Sequence, residues 1–440
     1  MTRRLATLIL LAGLWVAVPA SAQTRLTLPE AIARARSQNF DVRSAAAAER
    51  EAAERVTQAR AGYFPKVDVT ESWQRGNQPV FVFSSLLAQR RLTEADFALD
   101  ALNHPAAIDN FRAAIMVEQS LLDRAARANV RAAGIGRDMA TAGRTLIDHN
   151  LAVDVTDAYG RVLVAAAARQ SAAAAVEAAR ADRELAGNRR DAGLVTDADV
   201  LQLDVHVART RQQQIRAESD ERIACARLSQ VMGEPLDSMF TLDPTPAPGA
   251  LEPTALPSLE AEALKSRPDV TLATLQEQLA GAALTAARAA FLPQVAAQGG
   301  WELNGGQWGT RASSWVVGTV VRLNVFHGFA DQARLAEARQ QTTRRALERE
   351  KAETAARLDV RIALAQLDAA RASEAVGRAA VAQARESQRI VRDRYEGGLT
   401  DVASLLRAAE AVMQAETQQM ATQVDVLVQT AALERALGRR

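Results

Sequence analysis

A single cysteine, Cys225, stands in the chain of 440 residues, which excludes an intrachain disulfide. With no histidine motif beside it, that thiol makes no case for a nucleophile and reads as a small packing residue on a helix. The four histidines, His104, His149, His206 and His327, are scattered without metal-ligand spacing. No glycine loop of the phosphate-binding kind occurs. The chain therefore gives no sign of catalytic, cofactor or metal chemistry. Aromatic residues make up only 4%, too few for several ordinary globular cores. Alanine and arginine dominate instead, which suits helices packed closely through small side chains. The formal net charge of +1 lacks the concentrated basic excess of a nucleic-acid binder. After residue 22 no apolar run approaches the roughly 18 residues of a spanning helix, so none is expected.

Proline is missing from two long stretches, between Pro105 and Pro235 and after Pro293. Proline breaks helix interiors, so these are the places where uninterrupted helix can run. Each stretch has one interruption. The first is Asp191-Ala192-Gly193-Leu194-Val195-Thr196-Asp197, the second Glu396-Gly397-Gly398-Leu399-Thr400-Asp401. Glycine takes the left-handed conformation just past a helix end, and Thr or Asp caps the next start. Thr196 with Asp199 has the spacing of a capping box. Each stretch thus reads as a helical hairpin. The entering helices run from about Ala125 to Arg190 and from about Ala330 to Tyr395, each roughly 100 Å long at the α-helical rise. In the last helix Val402, Leu406, Ala409, Met413, Met420, Val424, Leu427 and Ala431 form an imperfect coiled-coil seam. By contrast the stretch 241–257, with Pro244, Pro246, Pro248, Pro253 and Pro257, cannot be continuous helix and reads as a connector.

Ahead of each hairpin the period changes to two. Val67, Val69 and Trp73 alternate with Asp68, Thr70, Ser72 and Gln74, and Phe111, Ala113, Ile115 and Val117 alternate with Arg112, Met116 and Glu118. Val295, Ala297, Trp301 and Leu303 oppose Gln294, Gln298 and Glu302, while Trp315, Val317, Val321, Leu323 and Val325 oppose Ser314, Arg322 and Asn324. One apolar face at period two means strands, each long enough to cross an outer membrane when tilted. Trp73, Trp301, Trp308 and Trp315 all fall in these strands or the turn between two of them, as an interfacial belt would. The N-terminus has the layout of an export signal: Arg3 and Arg4, the apolar stretch Leu5 to Val18, then Ala20-Ser21-Ala22 as a cleavage site. The segment 76–107 between the first two strands reads as a loop, and 304–313 as a shorter one.

The chain says all this twice. Leu28-Pro29, Asp41-Val42 and Pro65 recur as Leu256-Pro257, Asp269-Val270 and Pro293, at one offset of 228 residues. Gly193-Leu194, Leu201, Leu228 and Gly233 recur as Gly398-Leu399, Leu406, Leu433 and Gly438, at an offset of 205. The organisation is therefore a signal peptide (1–22), a first repeat of helix, two strands and long hairpin (23–240), the connector (241–257) and a second such repeat (258–440). The fold class is mainly α with a β-barrel part. Four strands leave two open edges that lipid does not tolerate, and closed barrels need about eight or more strands. Several chains must share one barrel.

The residues resemble the TolC family of outer-membrane efflux proteins over essentially the whole stretch from Leu26 to Gly438. The resemblance rests on Leu26-Thr27-Leu28-Pro29-Glu30-Ala31, the junctions at Pro65 and Pro293, the passage Leu323-Asn324-Val325-Phe326-His327-Gly328-Phe329, the two hairpin tips and Ala436-Leu437-Gly438. It implies a homotrimer with a shared twelve-strand barrel in the cell outer membrane and an α-helical tunnel in the periplasm. It also implies that the tips Gly193, Leu194, Val195, Thr196 and Gly397, Gly398, Leu399, Thr400 close the duct and meet a periplasmic adaptor, through which an inner-membrane pump would act. The implied function is the outer-membrane duct of a tripartite efflux or type I secretion system. Two departures stand out. The passage Leu121-Leu122-Asp123-Arg124 lacks the glycine present at Gly328. Ser404 and Arg407 occupy the positions where aspartates ring the lumen in the best-known member, with Asp401 one turn earlier. Asp401, Ser404 and Arg407 are the candidate lumen gate, and for Asp401 the alternative is a helix N-terminal acid favoured by the macrodipole. A periplasmic coiled-coil adaptor or scaffold is the alternative for the whole chain, although it has no use for tryptophan-bearing amphipathic strands. A surface adhesin would need a larger external domain than residues 76–107.

Overall fold

The strand-forming alternation and the glycine punctuation produce fourteen elements in the computed structural model, which describes residues 25–243 and 255–439. They are α1 (Leu28–Gln38), α2 (Phe40–Arg60), β1 (Lys66–Gly76), α3 (Pro79–Ala88), α4 (Leu99–Asn103), β2 (Ile108–Leu122), α5 (Arg124–Asp191), α6 (Asp197–Met232), α7 (Leu256–Ser266), α8 (Pro268–Ala289), β3 (Gln294–Gln307), β4 (Thr310–Arg322), α9 (Ala330–Glu396) and α10 (Val402–Ala436). The expected signal peptide lies outside the described residues, as does the connector from 244 to 254. The described residues group into two compact units. One takes its described chain from 25–36, 154–243 and 370–428, the other from 37–153, 255–369 and 429–439. Each unit therefore draws on both copies of the repeat.

The second unit holds the sheet. Its order is β1-β2-β3-β4, antiparallel throughout, so β1 and β4 are both open edges. Register brings the four alternating patterns onto one face. Val69 pairs with Ile115, Ile115 with Trp301, and Trp301 with Trp315. Val67 pairs with Val117, Val117 with Gly299, and Gly299 with Val317. The opposite face carries Asp68, Thr70, Arg112, Gln298 and Glu302, with Arg112 Nε donating to Glu302 Oε2 at 2.8 Å. The strand ends differ from expectation in two ways. β3 and β4 run closer to their shared turn, leaving only Trp308-Gly309 between them, with a register irregularity between Asn304 and Gln307. β4 stops at Arg322, so Leu323 and Val325 follow the ladder instead of belonging to it. Gly328 and Phe329 turn the chain there with φ of 57° and 64°, and Asn324 Nδ2 donates to Asp331 across the turn. The first copy needs no such turn: Asp123 Oδ1 accepts from Ala126 N at 3.0 Å, and α5 starts directly.

Residues 76–107 are not a bare loop. They contain α3, a single 3-10 turn at Glu94–Phe97, and α4. Pro79 at the first turn preorganises α3, although its run Val80-Phe81-Val82-Phe83 has the β-branched and aromatic content of a strand.

The first unit is built by the helical hairpins. All four long helices end alike. Gly193, Gly233, Gly398 and Gly438 take φ of 75°, 77°, 71° and 72°. Each is followed by a residue whose N–H reaches back to the last helical turn: Leu194 to Arg189 O, Glu234 to Ser229 O, Leu399 to Arg394 O and Arg439 to Glu434 O. Left-handed backbone costs glycine nothing, and the pattern satisfies carbonyls the helix end would otherwise leave unpaired. One expectation about the helices needs correcting. α5 contains a stretch long and apolar enough to cross a membrane by length and composition. Alanines 165–168 and 172–175 fall in this helix. Such side chains also serve close packing, and Ala172, Val176 and Ala179 are buried. The seam of α10 is also shifted, with Leu405 more buried than Leu406. Cys225 is buried, and burial pushes its thiol up, as fits a packing residue.

A close helix contact lies in this unit, where a Cβ added at Gly160 of α5 would overlap Val424 Cγ1 of α10. Valine in a helix has one strongly preferred rotamer, so it cannot swing aside cheaply. Gly160→Ala should lower stability by about 1–3 kcal/mol through overpacking, more than the roughly 1 kcal/mol of helix propensity it gains. Thermal unfolding tests this: a raised midpoint would refute the close contact, and Val424→Ala should rescue the variant.

Candidate functional site

The two hairpin tips lie together in the first unit. Their packing core is Ala186 of α5, Val200 and Leu203 of α6, Tyr395 of α9, and Val402 and Leu405 of α10. The helix periodicity explains this set: Val200 and Leu203 lie one turn apart, as do Val402 and Leu405. Gly193 and Gly398 then occupy equivalent left-handed positions. Leu194 and Leu399, the residues after them, stay exposed at 67% and 71%, large apolar side chains with no cover in the single chain.

The two helix starts after the tips are made differently. Thr196 and Asp199 form the capping box: Asp199 N donates to Thr196 Oγ1 at 3.3 Å, and Thr196 N donates to Asp199 Oδ2 at 2.9 Å. Those hydrogen bonds from the Thr196 backbone and side chain hold the Asp199 carboxyl below its usual range. Thr400 has no such role. Asp401 takes it, accepting from Ser404 N at 3.0 Å, and Arg407 Nη2 donates to Ser404 Oγ at 3.2 Å. The hydrogen bonds from Ser404 hold the Asp401 carboxyl below its usual range. Asp401, Ser404 and Arg407 are thus chained along the exposed first two turns of α10, and Asp401 does the work of a helix N-terminal acid. Val195, Gly397 and Thr400 make up the rest of the turns.

Sequence reasoning missed the bonds that join one tip to the other. Arg189 Nη1 donates to Tyr395 O at 2.8 Å, and its guanidinium lies 5.3 Å from the centre of the Tyr395 ring. A cation beside the C-terminal carbonyls of α9 also suits the helix dipole. The Tyr395 hydroxyl is buried with no partner among the described residues, and burial pushes it up from its ordinary value. Below this contact Arg392 Nη2 donates to Asp182 Oδ1 at 2.9 Å. Burial pushes the Asp182 carboxyl up despite Arg392, and burial pushes His206 down. Basic residues near a helix C-terminus, as at Arg189 and Arg190, were the only local signal available for these bonds.

The second surface is the sheet. Its apolar face is open: Val69, Trp315 and Val317 are exposed at 73%, 76% and 73%. Towards the turn end the face becomes amphipathic. Trp73 Nε1 donates to Asp109 Oδ1 at 3.0 Å, Trp308 meets Phe111 edge-on at 6.0 Å, and Arg311 covers Trp308 at 4.2 Å while donating to Glu71 at 3.0 Å. Indole rings with one end apolar and the other hydrogen-bonded fit a membrane–water boundary.

The sequence profile of a family described as outer membrane efflux protein matches residues 31–234 and 259–439. Protein CyaE of Bordetella pertussis is 28% identical over 331 residues, covering 74% of this chain and 70% of that protein. A membrane protein from Pseudomonas aeruginosa shares the fold with a TM-score of 0.79 at 22% identity, over 93% of each chain. The Campylobacter jejuni CmeC outer membrane channel does so with a TM-score of 0.78 at 16% identity, over 93% of this chain and 85% of that one.

The unlike caps give unlike responses. Thr196→Ala should cost about 1 kcal/mol of local stability, read as faster amide exchange at the start of α6. At the other tip the sign follows from the depressed Asp401 carboxyl. Its contribution is fully present above the ordinary carboxylate range and fades as pH falls through the lowered value. Exchange at the start of α10 should therefore accelerate in acid beyond its intrinsic rate, and Asp401→Asn, which still caps, should flatten that dependence. An unchanged acid response in the asparagine variant would remove Asp401 as the cap.

Proposed function

The chain belongs to the outer membrane efflux protein family, and on that premise we propose that it is one third of a trimeric duct whose tips open and close the periplasmic end. The family is one of transport channels and not of enzymes. The protein is an outer-membrane channel for efflux or secretion, located in the outer membrane and extending into the periplasm. Family members form trimers and are parts of tripartite efflux or secretion systems.

The observation that carries the proposal is the sheet of four strands with one apolar, exposed face and two open edges. In hydrocarbon each unpaired backbone group costs several kcal/mol, so open edges must find partners. Three chains would pool twelve strands and close the ring edge to edge. The helices support the same reading. Leu201, Val205 and Ile215 of α6 and Val376 and Ile390 of α9 are exposed apolar side chains that neighbouring copies would cover. In this reading Val67, Val69, Trp315 and Val317 face lipid, and Asp68, Thr70, Arg112 and Glu302 line a polar lumen. At the tips, Gly193, Leu194, Val195 and Thr196 with Gly397, Gly398, Leu399 and Thr400 meet a periplasmic adaptor, which couples the duct to an inner-membrane pump. Asp401, Ser404 and Arg407 border the closing end. Gating is movement of the hairpins, without covalent chemistry, and the cross-tip bonds of Arg189 and Arg392 resist it.

Arginine at a lipid-facing mid-strand site costs about 2–4 kcal/mol of assembly in the bilayer, falling toward the interfaces. Val69→Arg and Val317→Arg should therefore reduce heat-resistant trimer in the outer membrane, whereas Thr70→Arg on the polar face should be tolerated. Equal loss at both faces would reject the assignment of faces. For the tips, bulky residues at Gly193 or Gly398 should impair export from cells while leaving the trimer intact, and undiminished export in both would reject a tip role.

A further inference from the structure

The excursion between β1 and β2 lies over the polar face of the sheet. The Phe81 ring sits beside Gly76 of β1. Gln89 Nε2 donates to Asn110 Oδ1 at 3.0 Å and to Asp109 O at 2.9 Å, and Asn110 Nδ2 donates to Asn304 Oδ1 at 3.0 Å. Asn110 and Asn304 are buried at 6% and 2%, although they belong to the hydrophilic face. Arg90 Nη2 donates to Ser313 O of β4 at 3.0 Å. α3 therefore crosses the sheet from the β1 edge towards β4, close to its turn end. Val82, Ser85 and Gln89 are its buried side. Val80 and Leu87 point the other way and are exposed at 82% and 57%, with Leu99 of α4 at 76%.

We propose that α3 closes the outer mouth of the duct by packing against the α3 helices of two further copies of this chain. The inference rests on the trimeric barrel reading. Twelve strands about 4.8 Å apart and tilted by about 40° give a wall about 24 Å across between backbones. A helix packed on the inside of that wall takes up most of its radius of about 12 Å. Helices are about 10 Å thick, so three of them fill the opening and must touch. The side they offer one another is Val80 and Leu87, apolar side chains that a water-filled mouth would leave uncovered. The ladder Gln89–Asn110–Asn304 is the tether that holds each helix against its own wall. The outer end of the duct is then closed independently of the helical tips.

The test uses the full-length protein in intact cells, with Cys225→Ala to remove the native thiol. Gln298→Cys, on the polar face below α3, reports access from outside to a polyethylene-glycol maleimide too bulky to cross the outer membrane; Val317→Cys on the apolar face is the control. With native α3, Gln298→Cys should react slowly. Val80→Asp with Leu87→Asp, and separately replacement of residues 79–103 by a short glycine-serine linker, should each raise its rate by roughly an order of magnitude with the trimer intact. Labelling of Gln298→Cys that is fast from the start and unchanged by either variant, while Val317→Cys stays protected in a trimer, overturns the mouth closure and leaves the barrel reading standing. Labelling of Val317→Cys as fast as Gln298→Cys overturns the barrel reading and the closure with it.

Discussion

The unpaired backbone at the edges of β1 and β4 is the constraint on which the rest depends. The sheet has one face that water does not favour and two edges that lipid does not permit. No arrangement of a single chain relieves both. The proposed closure with other copies would, and it places demands on every strand. All must present their apolar side outward together, and a one-residue slip in any ladder would turn a whole strand around. The three ladders meet that demand: Val69, Ile115, Trp301 and Trp315 come into one row from four strands. Helix faces are uncovered in the single chain as well, as Leu201 and Val376 are.

Long helices raise a different problem, which is where to stop. Helices of 68 and 67 residues have no natural limit in their own periodicity. Left-handed glycines supply it, at Gly193 and Gly398 for the tips and at Gly233 and Gly438 for the returning helices. The stop is a backbone device and repeats without change. The restart is a side-chain device and does not: Thr196 with Asp199 at one tip, Asp401 with Ser404 at the other. The two tips are therefore alike in course and different in chemistry. Arg189, reaching from one to the carbonyl of Tyr395 on the other, makes them a single packed body.

Much of this was legible because it is local. Period-two alternation showed the strands and which side of each is apolar, proline gaps and glycine punctuation located the hairpins to within a residue or two, and the Thr196–Asp199 spacing announced its cap. What was hidden depends on distant partners. The run Pro79 to Ala88 has the composition of a strand, and it is a helix because it packs on the sheet through Val82, Ser85 and Gln89. β4 ends short of its alternating pattern because Asn324, Asp331 and the left-handed pair Gly328 and Phe329 turn the chain first. Arg189 and Arg392 look like many other arginines on solvated helix faces. Only the packing of α5 against α9 brings them to Tyr395 and Asp182.

The duplication explains where the copies could diverge. Strands in one closed sheet must share length, tilt and facing, and helices in one ring must share their stops. The start of the first strand in each copy keeps its match at the offset of 228 residues, and the helix stops keep theirs at 205. Connections carry no such obligation, and the differences collect there. The first strand pair is joined by the α3 excursion, the second by Trp308-Gly309. The start of α2 is capped by Asn39, whose Oδ1 accepts from Asp41 N at 2.8 Å. The matching Arg267 instead clamps Asp269 at 2.6 Å and Asp359 at 2.9 Å, and Asp269 turns its own carboxylate to the N–H of Val270. Each chain thus contributes two sectors with the same walls and different ends. In the proposed trimer such sectors would give threefold variety where the ring meets lipid headgroups, solvent and partners, and near-sixfold regularity where backbone must close on backbone.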